Sequence, residues 1–216
     1  MIEHPYEPNT PEWRKARRGV ITASRAKDVR RTDGLTEQQR TYVVALKSRQ
    51  SDAAALDAAG YKKKPTAEAV ARAINGTLQL QFTEAAHTYA KDLARERCGG
   101  QEPDGYEGLS QRIGHEEEQF AAIEYVAKTG LDVSPAYFIT TDDGKFGVTL
   151  DRWVGQARDA GLEAKTMVSS ATLFKAMVDG DISEYRDQCI FGLWMLSLKW
   201  TDLCLWCPDL QALHVI

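Results

Sequence analysis

The chain has 216 residues, 43% hydrophobic and 27% charged, ordinary fractions for a globular protein with one sizeable core. A formal net charge of -4 excludes polyanion binding through the mean field, so any anion-binding surface must be built by concentrating basic residues locally. No signal-peptide pattern opens the sequence, and the apolar stretch 187–207 is broken by Gly192, Lys199 and Asp202, which speaks against a membrane span and for a cytoplasmic setting.

Short helices are predicted through Arg31. Within them Arg14, Lys15, Arg17, Arg18, Arg25, Lys27, Arg30 and Arg31 are opposed only by Glu12 and Asp28, the local concentration of charge that the chain as a whole lacks. Thr22 or Ser24 makes a sensible helix start, where exposed backbone N–H groups favour an anion. The plainer alternative is a solvated amphipathic helix with Trp13 as its anchor in the core. Helices follow near 37–50 and 66–96, the second interrupted at Asn75-Gly76, with Ser51 to Ala59 as a small-residue linker between them. Lys62, Lys63 and Lys64 before Pro65 read as a solvated loop.

A helix near 109–129 carries Phe120, Ile123 and Val126 at the spacing of an apolar face, with Glu118 on the same element. Strands are predicted near 132–140, 146–154 and 161–167, the first two joined by the turn Asp142-Asp143-Gly144-Lys145. Two helices, near 169–179 and 183–198, lead to a last strand near 200–207. The second is nearly continuous in its apolar part, hence expected to be buried, with Tyr185 and Gln188 at its polar start. This order describes a mixed α/β core whose central sheet is flanked by helices on both faces. Cys204 and Cys207 have the spacing of half a metal or cluster motif, but on a strand residues three apart face opposite sides, so packing is the favoured reading. Disulfides are not expected in a cytosolic setting.

Chemistry concentrates at Asp151 and at Glu163-Ala164-Lys165. Side chains on a strand alternate, so Glu163 and Lys165 share one face while Leu162 and Ala164 point into a core, and Asp151 joins the first pair if the two strands are neighbours. Two carboxylates and a lysine so placed suit metal-assisted cleavage of a phosphodiester. Mg²⁺ held by Asp151, Glu163 and the Ala164 carbonyl offsets charge on the phosphoryl and leaving oxygens, and Lys165 orients or helps deprotonate the attacking water. The alternative is a solvated hairpin with cross-strand charge pairs; likewise Glu118 reads equally as a surface acid and Gln188 as a satisfied core amide.

The segment Trp13-x3-Arg17-x-Gly19-x-Ile21-Thr22-Ala23-Ser24, followed by Glu118, Asp151, Glu163-x-Lys165, Tyr185 and Gln188, resembles the phage lambda exonuclease family of viral recombination nucleases. The order spans most of the chain. The resemblance implies a restriction-endonuclease-like core within a single nuclease domain, 1–216, with a helical part to about 130 and the catalytic sheet and closing helices from about 131. It implies catalytic roles for Asp151, Glu163, Lys165, Glu118 and Gln188, with Glu118 beside the metals and Gln188 near the lysine. It places Arg17 on a 5′-terminal phosphate, helped by the hydroxyls of Ser24, Thr22 and Thr149. It further implies two Mg²⁺ ions sharing Asp151, with Mn²⁺ as a substitute, a homotrimeric ring around double-stranded DNA, a single-strand annealing partner, and residence in the bacterial host of a phage or prophage.

The chain departs from the family pattern in two places. Thr149-Leu150-Asp151-Arg152 stands where the family has Ser-Pro-Asp-Gly, and Ser169-Ser170-Ala171 where it has an arginine, with Lys175 a helical turn further on. Leu109 to Ile113 occupy the place of the family's strand-separating wedge. The function expected is a Mg²⁺-dependent 5′-to-3′ exonuclease on double-stranded DNA ends. The alternatives are an endonuclease of the same fold, which cuts closed circular DNA, and a catalytically silent DNA-binding protein, which releases no nucleotides.

Overall fold

The computed structural model describes residues 1–100 and 109–216, and of 109–112, 115 and 170 the backbone only. In chain order the elements are β1 (Ile2–His4), α1 (Pro11–Arg17), β2 (Ile21–Thr22), a 3₁₀ segment (Ala23–Val29), β3 (Arg31–Thr32), α2 (Glu37–Lys47), α3 (Asp52–Ala58), α4 (Glu68–Ile74), β4 (Gln81–Phe82), α5 (Glu84–Arg97) and α6 (Leu109–Thr129). There follow β5 (Val133–Pro135), β6 (Phe138–Thr140), β7 (Phe146–Val148), β8 (Arg152–Val154), β9 (Ala160–Thr166), α7 (Ser170–Val178), α8 (Ser183–Leu196), β10 (Trp200–Cys207), a 3₁₀ turn (Pro208–Leu210) and β11 (Ala212–Val215). These form two compact units, one of Met1–Lys27 with Lys91–Ile216 and one of Asp28–Ala90.

The larger unit is built on a five-stranded mixed sheet in the order β11-β10-β9-β8-β5. Strands β9 and β10 run parallel and the other neighbours antiparallel. A parallel pair needs a crossover, and α7 with α8 supplies it. Helix α6 covers one face, packing Ala121 and Tyr125 on Val154, Leu162, Cys204 and Trp206. The crossover helices cover the other, where Ala176, Leu173 and Ile182 meet Met167, Leu203, Leu205 and Cys207. Cys204 and Cys207 therefore sit in different core clusters on opposite faces of β10, and both are free thiols.

The predicted strand hairpin is present but divided. The arm 132–140 breaks at Ala136-Tyr137 and the arm 146–154 at Thr149-Leu150-Asp151, so the inner halves β6 and β7 join a second sheet, β1-β6-β7-β2, while β5 and β8 edge the large one. Pro135 has no N–H to extend the ladder, which favours a change of partner there. In the second sheet Gly147 is fixed by contact rather than by conformation: a Cβ would lie 2.4 Å from the Phe138 ring and 2.9 Å from Val20.

Four other expectations are revised. The helices predicted through Arg31 reduce to α1 and the 3₁₀ segment, interleaved with strands too short to show a period. The Ser51–Ala59 linker is helix α3, started by Ser51, whose side chain accepts from Ala54 N–H; alanine needs no more than a cap to become helical. On α6 the buried stripe is Ala121, Ala122 and Tyr125, whereas Phe120 and Ile123 are exposed, because small alanines let the helix lie close to the sheet. On α8 only Gly192 and Met195 are buried, and Ile190 and Trp194 face out.

The smaller unit has its own core of Tyr42, Val43, Ala55, Val70 and Ala73 on α2, α3 and α4. A capping box of Thr36 and Gln39 starts α2, and the Tyr42 hydroxyl donates to Asp52 at 2.9 Å. The same carboxylate takes Lys64 at 3.0 Å, so one member of the lysine run is paired.

Candidate active site

Strand β9 presents its two faces in strict alternation. Leu162 is fully buried against α6, and Glu163 is almost as deeply buried on the opposite face, beside Leu203 of β10 in register. The Lys165 ammonium donates to Glu163 Oε1 at 2.5 Å, and its own neighbour in register is Leu205. Asp151 lies in the break just before β8, not on a strand as predicted. Its backbone N–H reaches the Leu162 carbonyl at 3.2 Å and its Oδ2 accepts the Ala164 N–H at 2.7 Å. The carboxylate thus takes the acceptor place that a continuing strand would have filled, which locks it beside Glu163-Ala164-Lys165.

The Gln188 side-chain amide, from the second turn of α8, donates to the same Glu163 oxygen as Lys165. Glu118 of α6 forms an ion pair with Arg152, whose guanidinium also donates to the Asp151 carbonyl at 2.5 Å. In the sequence Arg152 stands out only as a departure from the family pattern, a cation directly after the acidic residue. Among the described residues no three His, Cys, Asp or Glu side chains are gathered tightly enough to hold a metal ion alone. The hard oxygens available are those of Asp151 and Glu163, with the backbone of Ala164 bonded to Asp151, a donor set that suits Mg²⁺.

Electrostatics of the site follow from burial. Removal from water, the charge of Asp151 and that of Glu118 push the Glu163 carboxyl up to about 8, against the pull of Lys165. For Lys165 burial acts downward, but Glu163 and Asp151 outweigh it and the ammonium is held above its usual range. Cys189 is pushed up to about 11, burial and Glu163 being the main causes.

A cleft of about 250 Å³ opens on this face, lined by Ser24, Lys27, Lys165, Glu184, Tyr185 and Gln188. It joins the amino-terminal segment to the sheet. Ser24 is exposed there and shares a 3.3 Å contact with the hydroxyl of Thr22, which is itself buried. In the sequence Lys27 is one member of the basic cluster, with no local signal that sets it apart from the others. Arg17, Thr22 and Thr149 do not line this cleft. The Thr149 hydroxyl is sealed from solvent with no hydrogen-bond partner among the described residues, and the Arg17 guanidinium stacks 4.3 Å from the Trp13 ring centroid and 5.2 Å from that of Phe138. Lys175 lies 3.7 Å from Asp181. The side chains of Leu109 to Arg112, in the place of the wedge, lie outside the described residues.

Local sequence explains why the segment is shaped this way. Thr10 caps α1 by accepting from Trp13 N–H, Pro11 fits its first turn, and Arg14, Lys15 and Arg17 complement the helix dipole at its end. Gly19 then turns at φ +69, its N–H donating to Glu96 at 2.7 Å and its carbonyl accepting from Arg97 at 2.8 Å. A Cβ would meet Arg97 Cγ at 2.5 Å, so the glycine of the signature is required twice over.

A mixed sheet with helices on both faces, carrying two carboxylates and a lysine from adjacent chain segments, is the restriction-endonuclease-like fold. The chain belongs to the YqaJ-like viral recombinase domain family, whose pattern it matches over residues 12–201. That agrees with the resemblance to the lambda exonuclease family seen in the sequence. Among solved structures it is similar to an alkaline exonuclease from Laribacter hongkongensis, LHK-Exo, with a TM-score of 0.62 and 20% identity over 96% of this chain and 80% of that one. LHK-Exo in complex with dAMP gives 0.61 and 21% over the same shares. A phage related exonuclease from Haemophilus somnus gives 0.51 and 12% over 91% and 82%. No curated protein matches the chain. At these identities the structural likeness speaks for the fold. Among the described residues no helix is long and apolar enough to cross a membrane.

Proposed function

We propose that the chain is a Mg²⁺-dependent deoxyribonuclease that resects one strand of double-stranded DNA from a 5′ end, leaving a 3′ single-stranded overhang for annealing-type recombination. The observation that carries this reading is the meeting of Asp151, Glu163 and Lys165 at β9, beside a cleft that Lys165 lines together with Ser24 and Lys27. The family supports a recombination setting, and the structural relatives include exonucleases, one of them with dAMP, a nucleotide of the kind that stepwise resection releases.

Asp151, Glu163 and the Ala164 carbonyl would hold the divalent ion. When bound, Mg²⁺ offsets the charge that builds on the phosphoryl and leaving oxygens and acidifies a water. The remaining work falls to the chain. Lys165, kept as an ammonium by its carboxylate neighbours, orients the water and stabilises the negative transition state. Gln188 holds the Glu163 carboxyl through the oxygen that Lys165 also contacts. Ser24 and Lys27 hold backbone phosphate at the cleft, and Arg17 serves the 5′-terminal phosphate with the edge of a guanidinium whose face is stacked.

A ring of three chains and a single-strand annealing partner belong to the same proposal, as does residence in the cytoplasm of a bacterial host. Phe174, Met177 and Val178 on α7 and Trp194 on α8 expose apolar area of the kind that assembly covers. The test is digestion of linear duplex labelled separately at 5′-phosphate, 5′-hydroxyl and 3′ ends, with Mg²⁺, Ca²⁺ or chelator. Mononucleotide release from the 5′-phosphate label with Mg²⁺ alone is expected. Cleavage of closed circles, or release unaffected by chelator, would overturn the reading.

A further inference from the structure

We infer that Arg152 is a built-in cation that occupies Glu118 in place of a divalent ion, so that the site carries one Mg²⁺ per chain rather than two. The inference rests on the divalent-ion reading above and concerns how many ions that reading needs. Its basis is the position of the guanidinium. One Arg152 nitrogen is bonded both to Glu118 and to the Asp151 carbonyl, and both side chains of the ion pair are three-quarters removed from solvent, at 24% exposure each. A pair so sheltered keeps far more of its attraction than a surface pair, and separating it leaves a carboxylate without compensation in a poor solvent.

Charge balance gives the same answer. Asp151 and Glu118 both act on Glu163 through space, each displacing its carboxyl upward. Facing these three carboxylates are two fixed cations, Arg152 and Lys165, each in contact with one of them. With all three ionised, as the binding of a divalent ion to Asp151 and Glu163 requires, one negative charge is left over beside Glu163-Ala164-Lys165. That remainder suits one divalent ion, which then leaves a single positive charge to receive an anionic phosphodiester. A second ion at Glu118 must displace the guanidinium and then sit beside it, repelled at short range. The absence of a gathered three-carboxylate group among the described residues agrees with this, because Glu118 is turned to Arg152.

The experiment is calorimetric titration of the full chain with Ca²⁺, without DNA, for the wild type, R152A, R152K and E118Q, with circular dichroism to confirm folding. The wild type takes up one ion per chain. R152A takes up two, because Glu118 is released; R152K, which keeps the charge, stays at one. E118Q also stays at one with affinity changed less than about threefold, since Glu118 is not a ligand in the wild type. Two ions in the wild type, one in a folded R152A, or loss of the ion in E118Q would each overturn the inference while leaving the divalent-ion reading intact. No ion in the wild type would overturn both. Should R152A fail to fold, the wild-type and E118Q counts decide the matter.

Discussion

The two faces of β9 bury Leu162 and Glu163 to nearly the same depth and are opposite in character. Leu162 and Ala164 pack under α6 with Tyr125, Val154 and Cys204, while Glu163 and Lys165, one residue along each time, lie under the crossover helices beside Leu203 and Leu205. The first face is what folding alone asks of a central strand. The second carries a carboxyl raised to about 8 and a lysine, at a depth where apolar side chains would serve stability as well or better. The difference teaches where to look for function in this sheet: at the face whose contents the core does not need.

If that division holds, Lys165→Ala and Leu162→Ala should have complementary effects. Lys165→Ala is expected to lower cleavage by about 10³-fold or more, the usual scale for removing a preorganised donor at a charged transition state. DNA-end binding should remain largely intact, as read by mobility shift in Ca²⁺. Normal turnover in this variant would remove the chemical role of the second face. Leu162→Ala should instead destabilise the protein by about 2–5 kcal/mol in denaturant melts, the range for a cavity in a packed core, with cleavage per folded molecule retained. A stable Leu162→Ala protein would mean that α6 closes onto the sheet more freely than the packing suggests.

Sequence made the second face readable and the frame around it less so. Alternation at Leu162, Glu163, Ala164 and Lys165 follows from strand geometry, and the structure places all four as that rule requires. Asp151 was legible as a partner but not as a residue in a strand break, because the signal there is a lost pairing, and pairing depends on partners far along the chain. The same holds for β1 and β2, which exist through β6 and β7. On α6 the apolar spacing of Phe120 and Ile123 misled, since two alanines decide which side approaches the sheet. Arg152 could be seen as a departure from a familiar pattern, but its bond to Glu118 spans 34 positions and leaves no local trace.

The amino-terminal cluster extends the comparison to a surface where folding and function overlap. Arg17 stacks on Trp13 and Phe138, which gives it a packing role, and it is also the residue proposed above to serve the 5′-terminal phosphate. Arg17→Ala should lower the preference for 5′-phosphorylated over 5′-hydroxyl ends by about tenfold, the value of one charge-assisted contact, with competition between the two labelled ends as the measurement. Equal losses on both ends would assign Arg17 to packing alone. Arg17→Lys should restore part of the preference but less of the stability, as lysine keeps the charge without the planar stack.

The smallest effect is expected at an acid that folding does need. Asp143, in the turn between β6 and β7, accepts from the Thr141 hydroxyl at 2.7 Å and the Lys145 N–H at 3.1 Å, and its other oxygen meets the Lys145 ammonium at 2.9 Å. These contacts, the Thr141 hydrogen bond first, hold its carboxyl down at about 2, opposite in direction to Glu163. A carboxyl lowered on folding adds stability that is present above its unfolded value of 3.8 and is lost as pH falls toward 2. The group is exposed, so the gain is small and salt weakens it. Asp143→Asn should therefore lower the melting temperature slightly at pH 7 and make little difference well below pH 2, and the gap between the two proteins should narrow as the pH falls from 3.8 through about 2. A gap that persists at low pH would show that the turn depends on the shape of the side chain rather than on its charge.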